Sequence, residues 1–155
     1  GYMAEAATWR NSYLTAAHEL RNGPPTKGVS KATLMQMLLQ TPMERFLEAM
    51  AAGLNGPEAE GKDLKVNLVL TDIKESYVLW IENSVLHFKR AEPAADANAT
   101  LTLTKTIFVK MIAGTAGVKD TLLSDDLKIG GSKIDLVRFF GLIEKAPGTF
   151  AIVTR

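Results

Sequence analysis

Cysteine is missing from this chain of 155 residues, so no disulfide framework and no thiolate metal site can form, and the redox compartment stays open between cytosol and periplasm. Histidine is scarce. His18 and His87 are the only two, far apart and without HxH or HExxH spacing, so neither an open three-ligand zinc site nor a Ser-His-Asp triad has its parts. Each reads as an ordinary surface or satisfied histidine. Charge of one sign is also lacking: 18 basic against 17 acidic residues leave +1, which offers nucleic acid no electrostatic footprint. No run reaches the roughly 18 consecutive apolar residues that span a bilayer, and no basic-then-apolar leader opens the chain. The chain reads as soluble, cytoplasmic or periplasmic.

Other catalytic signatures fail for stated reasons. The pairs Glu58/Glu60 and Asp125/Asp126 fall in polar stretches where carboxylates are ordinarily just solvated. GTAG at 114–117 and IGG at 129–131 are too short for a phosphate loop and lack its lysine. They read as turns.

What is present is a large apolar fraction, 46% against 23% charged. A chain of this length can bury about 70% of the surface its unfolded form exposes, enough for one core. The stretch YMAEAATWRNSYLTAAHELRNG predicts a helix over 2–22. Trp9, Tyr13, Ala16, Ala17 and Leu20 form one stripe on it, and such a stripe needs a partner. PPTKGVS breaks that helix and reads as a linker. Ser30 has the position of an N-cap for a short helix carrying Leu34, Met35, Leu38 and Leu39. After Thr41-Pro42 the residues Met43, Phe46, Leu47, Met50 and Leu54 give the best amphipathic pattern of the chain. LNGPEAEGK reads as a loop.

From residue 64 the period changes from 3.6 to 2. LKVNLVL sets Leu64, Val66, Leu68 and Leu70 on one face, and ATLTLT sets Leu101 and Leu103 opposite threonines. SYVLWI is apolar on both faces and predicts an interior strand, turned by Glu82-Asn83-Ser84 into VLHFKR. EPAADANA reads as a loop. KTIFVKMIAG predicts a helix turning Ile107, Phe108, Met111 and Ile112 inward, and SKIDLVRFFGLIE another turning Leu136, Phe139, Phe140 and Ile143 inward. LKIGG between them and TFAIVT at the end read as short strands.

Methionine and phenylalanine are concentrated on these helices. Both adapt to irregular shapes, so a sheet covered by them can enclose a cavity for an aliphatic chain or a filled core. Periodicity favours the filled core, because an apolar stripe is the normal way a helix meets a sheet.

The ordered phrases PMERFLEAMAAGLNGPEAEGKDLKVNLVLTD, ESYVLWIENSVLHF, ADANATLTLTKTIFVKMIAG and LKIGGSKIDLVRFFGLIEKAPGTFAIVTR resemble the sterol-carrier-type C-terminal domain of the metallo-β-lactamase-type alkyl sulfatases. EAATWRNSYLTAAHELRNG resembles the last helix of the dimerisation domain that precedes it. The resemblance implies an α+β fold: a mixed, largely antiparallel sheet of about five strands, covered by helices on one face, with an apolar tunnel. It implies three segments: 1–23 the end of an upstream helical dimerisation domain, 24–30 a linker, and 31–155 the lipid-carrier-like domain. It also implies a noncatalytic role, binding the alkyl chain of an amphiphile such as an alkyl sulfate and helping to recruit it to a zinc-dependent sulfatase domain. That domain's histidine- and aspartate-rich motifs do not occur here, so zinc is expected there and no cofactor in this chain.

The residues expected to line the tunnel are Phe46, Met50, Leu68, Leu70, Trp80, Leu101, Leu103, Phe108, Met111, Ile112, Leu136, Phe139 and Phe140. The expected partners are a long-chain amphiphile, the upstream domains, and a second copy meeting through Trp9, Tyr13 and Leu20. A structural and assembly module with a filled tunnel, or an independent lipid carrier, are the alternatives.

Overall fold

The structure, a computed structural model, describes residues 1–24, 28, 30–113 and 127–144. These fall into two compact units, residues 1–33 and residues 34–144. The expected strand TFAIVT, the GTAG turn and the Asp125/Asp126 pair lie outside the described residues.

In the first unit, α1 spans Ala7–Asn22. It starts later than the apolar pattern predicts because residues 1–4 close a turn of their own, Ala4 N–H donating to Gly1 O at 3.1 Å. Arg10 ties that turn to the helix, its Nη2 donating to Ala4 O at 2.8 Å. Gly23 ends it with φ +81°, a left-handed conformation suited to glycine, and its N–H donates to Glu19 O at 2.8 Å. Trp9 and Tyr13 meet edge to face at 6.3 Å and are 64% and 51% exposed. The next helix, α2 (Lys31–Gln40), is capped as expected: Ser30 Oγ accepts from Thr33 N–H at 3.1 Å.

The second unit is a sheet with helices. Its elements are α3 (Met43–Ala52), α4 (Gly56–Ala59), β1 (Leu64–Leu70), β2 (Glu75–Glu82), β3 (Val85–Arg90), β4 (Ala99–Leu103), α5 (Lys105–Ile112), β5 (Lys128–Gly131) and α6 (Lys133–Gly141). The five strands run in the order β3-β2-β1-β4-β5. Every neighbouring pair is antiparallel except β1 with β4. The α+β class and the mixed, largely antiparallel five-strand sheet expected from the sequence are therefore found. The β2–β3 hairpin turns at Asn83 and Ser84, both at positive φ (52° and 59°), the backbone twist that two-residue hairpins favour.

One stretch read as a loop is a helix. In LNGPEAEGK, Asn55 Oδ1 accepts from Glu58 N–H at 3.1 Å and Pro57 sits in the first turn, so α4 forms a single capped turn. Its Ala59 is fully buried.

Register sorts the side chains. Leu68 stands beside Tyr77 of β2 and Leu101 of β4, and Val66 beside Leu79 and Ala99. These residues share the face on which the helices lie, α3 against β3 and α6 against β1 and β4. Asn67, Val78 and Lys89 fall in one row of the opposite face, and Lys65, Trp80 and His87 in the next.

At one end of the helix-covered face Tyr77 is 1% exposed, its hydroxyl donating to Glu75 Oε2 at 2.8 Å while Glu75 Oε1 pairs with Arg90 Nη1 at 3.1 Å. Burial first, and then the hydrogen bond to Glu75, push the Tyr77 phenol well above its ordinary range. The folded state thus holds the neutral phenol where the unfolded chain would ionise near pH 10. This contribution is complete below about pH 10 and is lost as pH rises toward the folded value. The urea midpoint is expected to fall above about pH 10, and to fall less in Tyr77→Phe. Equal slopes for the two proteins would remove Tyr77 as the cause.

Candidate functional site

Three helices bring phenylalanine onto the covered face. Phe46 of α3 meets Phe108 of α5 at 5.7 Å, Phe108 meets Phe140 of α6 at 6.0 Å, and Phe140 meets Phe139 at 5.3 Å, all edge to face. That arrangement places the positive ring edge on the negative face of its neighbour. Helical spacing puts these rings here: Phe46 shares its stripe with Met43 and Met50, and Phe139 shares its stripe with Leu136. Thr104 and Ser132 start α5 and α6, each side-chain oxygen accepting an amide N–H three residues on.

Beneath the rings lie Leu68 and Leu70 of β1 beside Leu101 and Leu103 of β4, in parallel register. All four are essentially unexposed, and Met50 and Leu136 are buried with them. Met111, Ile112 and Phe140 are half-buried at the rim of the same cluster. Twelve of the thirteen residues expected to line a tunnel therefore belong to one apolar cluster.

Trp80, expected among them, does not belong to it. It pairs in register with Lys65 and His87, which puts it on the opposite face. SYVLWI is apolar at both parities, so its own sequence gives no preference; the partner strands supply it. Other core residues were missed. Val109 is as buried as Phe108, and Leu142 is buried where Ile143 was expected, Ile143 being half-buried. Tyr77, Leu79 and Ile81 of β2 join the same face by pairing with Leu68, Val66 and Leu64, the side that the alternation of β1 marked.

On the opposite face Trp80 forms part of an open groove of about 550 Å³. His87 stacks on the indole at 5.2 Å with 18° between planes, and Lys89 Nζ lies 5.9 Å from the ring centroid. Residues 91–98 form one wall, held by Asn67. Its Oδ1 accepts from Ala94 N–H at 2.9 Å, and its Nδ2 donates to Ala94 O at 2.9 Å and to Thr100 Oγ1 at 3.1 Å. A polar residue at 2% exposure is thereby satisfied, the amide imitating a strand partner for the loop. Asn98 continues the same device, accepting Lys65 N–H at 2.8 Å. Lys65 Nζ pairs with Asp96, and that hydrogen bond holds the Asp96 carboxyl below the usual range. None of these polar roles was visible in sequence, because a single Asn inside a strand pattern reads only as an interruption.

His18 is exposed on α1 beside Asn22, Nδ1 to Nδ2 3.2 Å. Glu58 and Glu60 are exposed. Among the described residues no three His, Asp or Glu side chains converge in a way that could hold a metal ion, and no helix is long and apolar enough to cross a membrane.

A family model described as alkyl sulfatase C-terminal matches residues 31–155. A linear primary-alkylsulfatase from Pseudomonas sp is 36% identical over 158 residues, covering 99% of this chain and 23% of that protein. The alkyl/aryl-sulfatase BDS1 of Saccharomyces cerevisiae is 33% identical over 154 residues, with 99% and 23% covered. The solved structure of the stereoselective inverting sec-alkylsulfatase Pisa1 from Pseudomonas sp. superimposes on 94% of this chain and 23% of its own, with a TM-score of 0.77 and 30% identity. The chain thus spans less than a quarter of the length of these relatives.

Proposed function

This chain belongs to the alkyl sulfatase C-terminal family, and from that premise we propose that it is a noncatalytic domain that holds the aliphatic chain of an amphiphilic substrate for a sulfatase domain elsewhere in a longer protein. The chemistry, with its zinc, is assigned to that other domain. Residues 31–155 are assigned to the alkyl-binding domain, 24–30 to a linker, and 1–23 to the end of a preceding dimerisation domain that engages a partner through Trp9 and Tyr13.

One observation carries the reading: helices α3, α5 and α6 converge phenylalanine and methionine on a single leucine-floored sheet face, and leave Met111, Ile112 and Phe140 half-accessible at its rim. An alkyl chain entering at that rim would exchange water for apolar contact, each methylene contributing about 0.8 kcal/mol. Titration calorimetry with alkyl sulfates of increasing length is expected to show affinity rising about fourfold per carbon, before ligand entropy is subtracted. Phe140→Ser should weaken every member of the series.

A filled scaffold is the second reading. The contact distances within the aromatic quartet, 5.3 to 6.0 Å, favour it. An affinity that does not change with chain length would select it.

A further inference from the structure

The groove around Trp80 has no part in alkyl binding as proposed above, because it opens on the other face of the sheet. Its volume, about 550 Å³, is that of a site for a small group, and the Trp80 indole is part of its lining. Stacking on His87 fixes the indole in place. Its charges are unevenly matched. Lys65 is tied to Asp96, whereas Asp63 and Glu82, which flank the Leu64–Ile81 pair on neighbouring strands, form no ion pair among the described residues. Two like charges so placed repel each other and favour an incoming cation.

The resident cation, Lys89, lies within cation–π reach at 5.9 Å from the indole centroid, but its compact ammonium cannot lie flat on a ring and face two carboxylates at once. A guanidinium can do both: it is planar, stacks on aromatic faces and presents a fork of N–H donors. The source of such a group is constrained by length, since the relatives that this chain matches carry more than three quarters of their residues outside the matched part.

We propose that this groove is a docking site for an arginine side chain from the polypeptide that lies outside this chain, stacked on Trp80 and facing Asp63 and Glu82. Docking there would orient this face of the sheet toward the rest of the longer protein. It requires Lys89 to move off the ring, so Lys89 acts as a competitor for the site.

The test uses the full chain with Trp9→Phe, which leaves Trp80 as the only indole. A blocked Gly-Arg-Gly peptide should change Trp80 emission saturably, in the millimolar range expected of a single side-chain contact. Gly-Lys-Gly should bind several-fold more weakly and Gly-Glu-Gly not at all. Asp63→Asn with Glu82→Gln should abolish the response, and Lys89→Ala should strengthen it. Both carboxylates are exposed, so the double variant keeps its fold, and its response to alkyl sulfates should be unchanged. Absence of a saturable change, equal binding of the lysine or glutamate peptide, or weaker binding in Lys89→Ala would overturn the proposal.

Discussion

Phe108→Ala is expected to lower the stability of the sheet-and-helix unit by about 3–5 kcal/mol, a large part of the roughly 5–15 kcal/mol that a domain of this size holds in reserve. The ring is 0% exposed and stands between Phe46 and Phe140, so its removal strips apolar area and leaves both neighbours facing a void. Urea denaturation followed by circular dichroism should show a lower midpoint at an unchanged slope. Val137→Ala, at a position 72% exposed on α6, should move the midpoint hardly at all and serves as the control. The size of the loss also bears on function. A cost below about 1 kcal/mol would mean that the ring borders space already empty, as an alkyl tunnel requires, whereas the full cost means a filled interior.

Gly131→Ala should be the most damaging single-methyl addition in the sheet. Gly131 ends β5 at φ +76°, and an added Cβ would sit 2.5 Å from the Asn98 carbonyl oxygen and 3.1 Å from Ala99 Cα. Both obstacles are backbone, so no side chain can swing aside. Left-handed strain and the close approach together are expected to cost about 2–4 kcal/mol. The damage should spread in a defined direction. Ser132 N–H donates to that same Asn98 oxygen at 2.9 Å, and Ser132 caps α6, so pushing β5 away also disturbs the start of the helix that carries Phe139 and Phe140. Hydrogen exchange should quicken first at β4, β5 and the first turn of α6. A variant within about 0.5 kcal/mol of the parent would show that this corner relaxes freely, against the geometry described here.

Elements with a single unambiguous period were legible from the residues. Met43, Phe46, Leu47 and Met50 could only form one buried helical stripe, and LKVNLVL could only form a strand with Val66, Leu68 and Leu70 on its inner side. Local chemistry also sufficed for caps, since Ser30 needs nothing beyond its own next turn. Long-range partners were a different matter. The inner and outer sides of SYVLWI and the depth of Val109 depend on which strand or helix lies alongside, and neither periodicity nor propensity encodes that neighbour.

The same distinction runs through the two candidate sites. The apolar cluster was accessible in outline because burying hydrophobic surface is non-directional, and any arrangement that gathers the stripes produces much the same list. The groove was not, because hydrogen bonds and ion pairs are directional. Asn67 meets Ala94 across 27 positions of chain and Lys65 meets Asp96 across 31. Trp80 joined the wrong set for that reason: its composition said apolar, and only pairing with Lys65 and His87 turned it to the face where charge and aromatic surface meet.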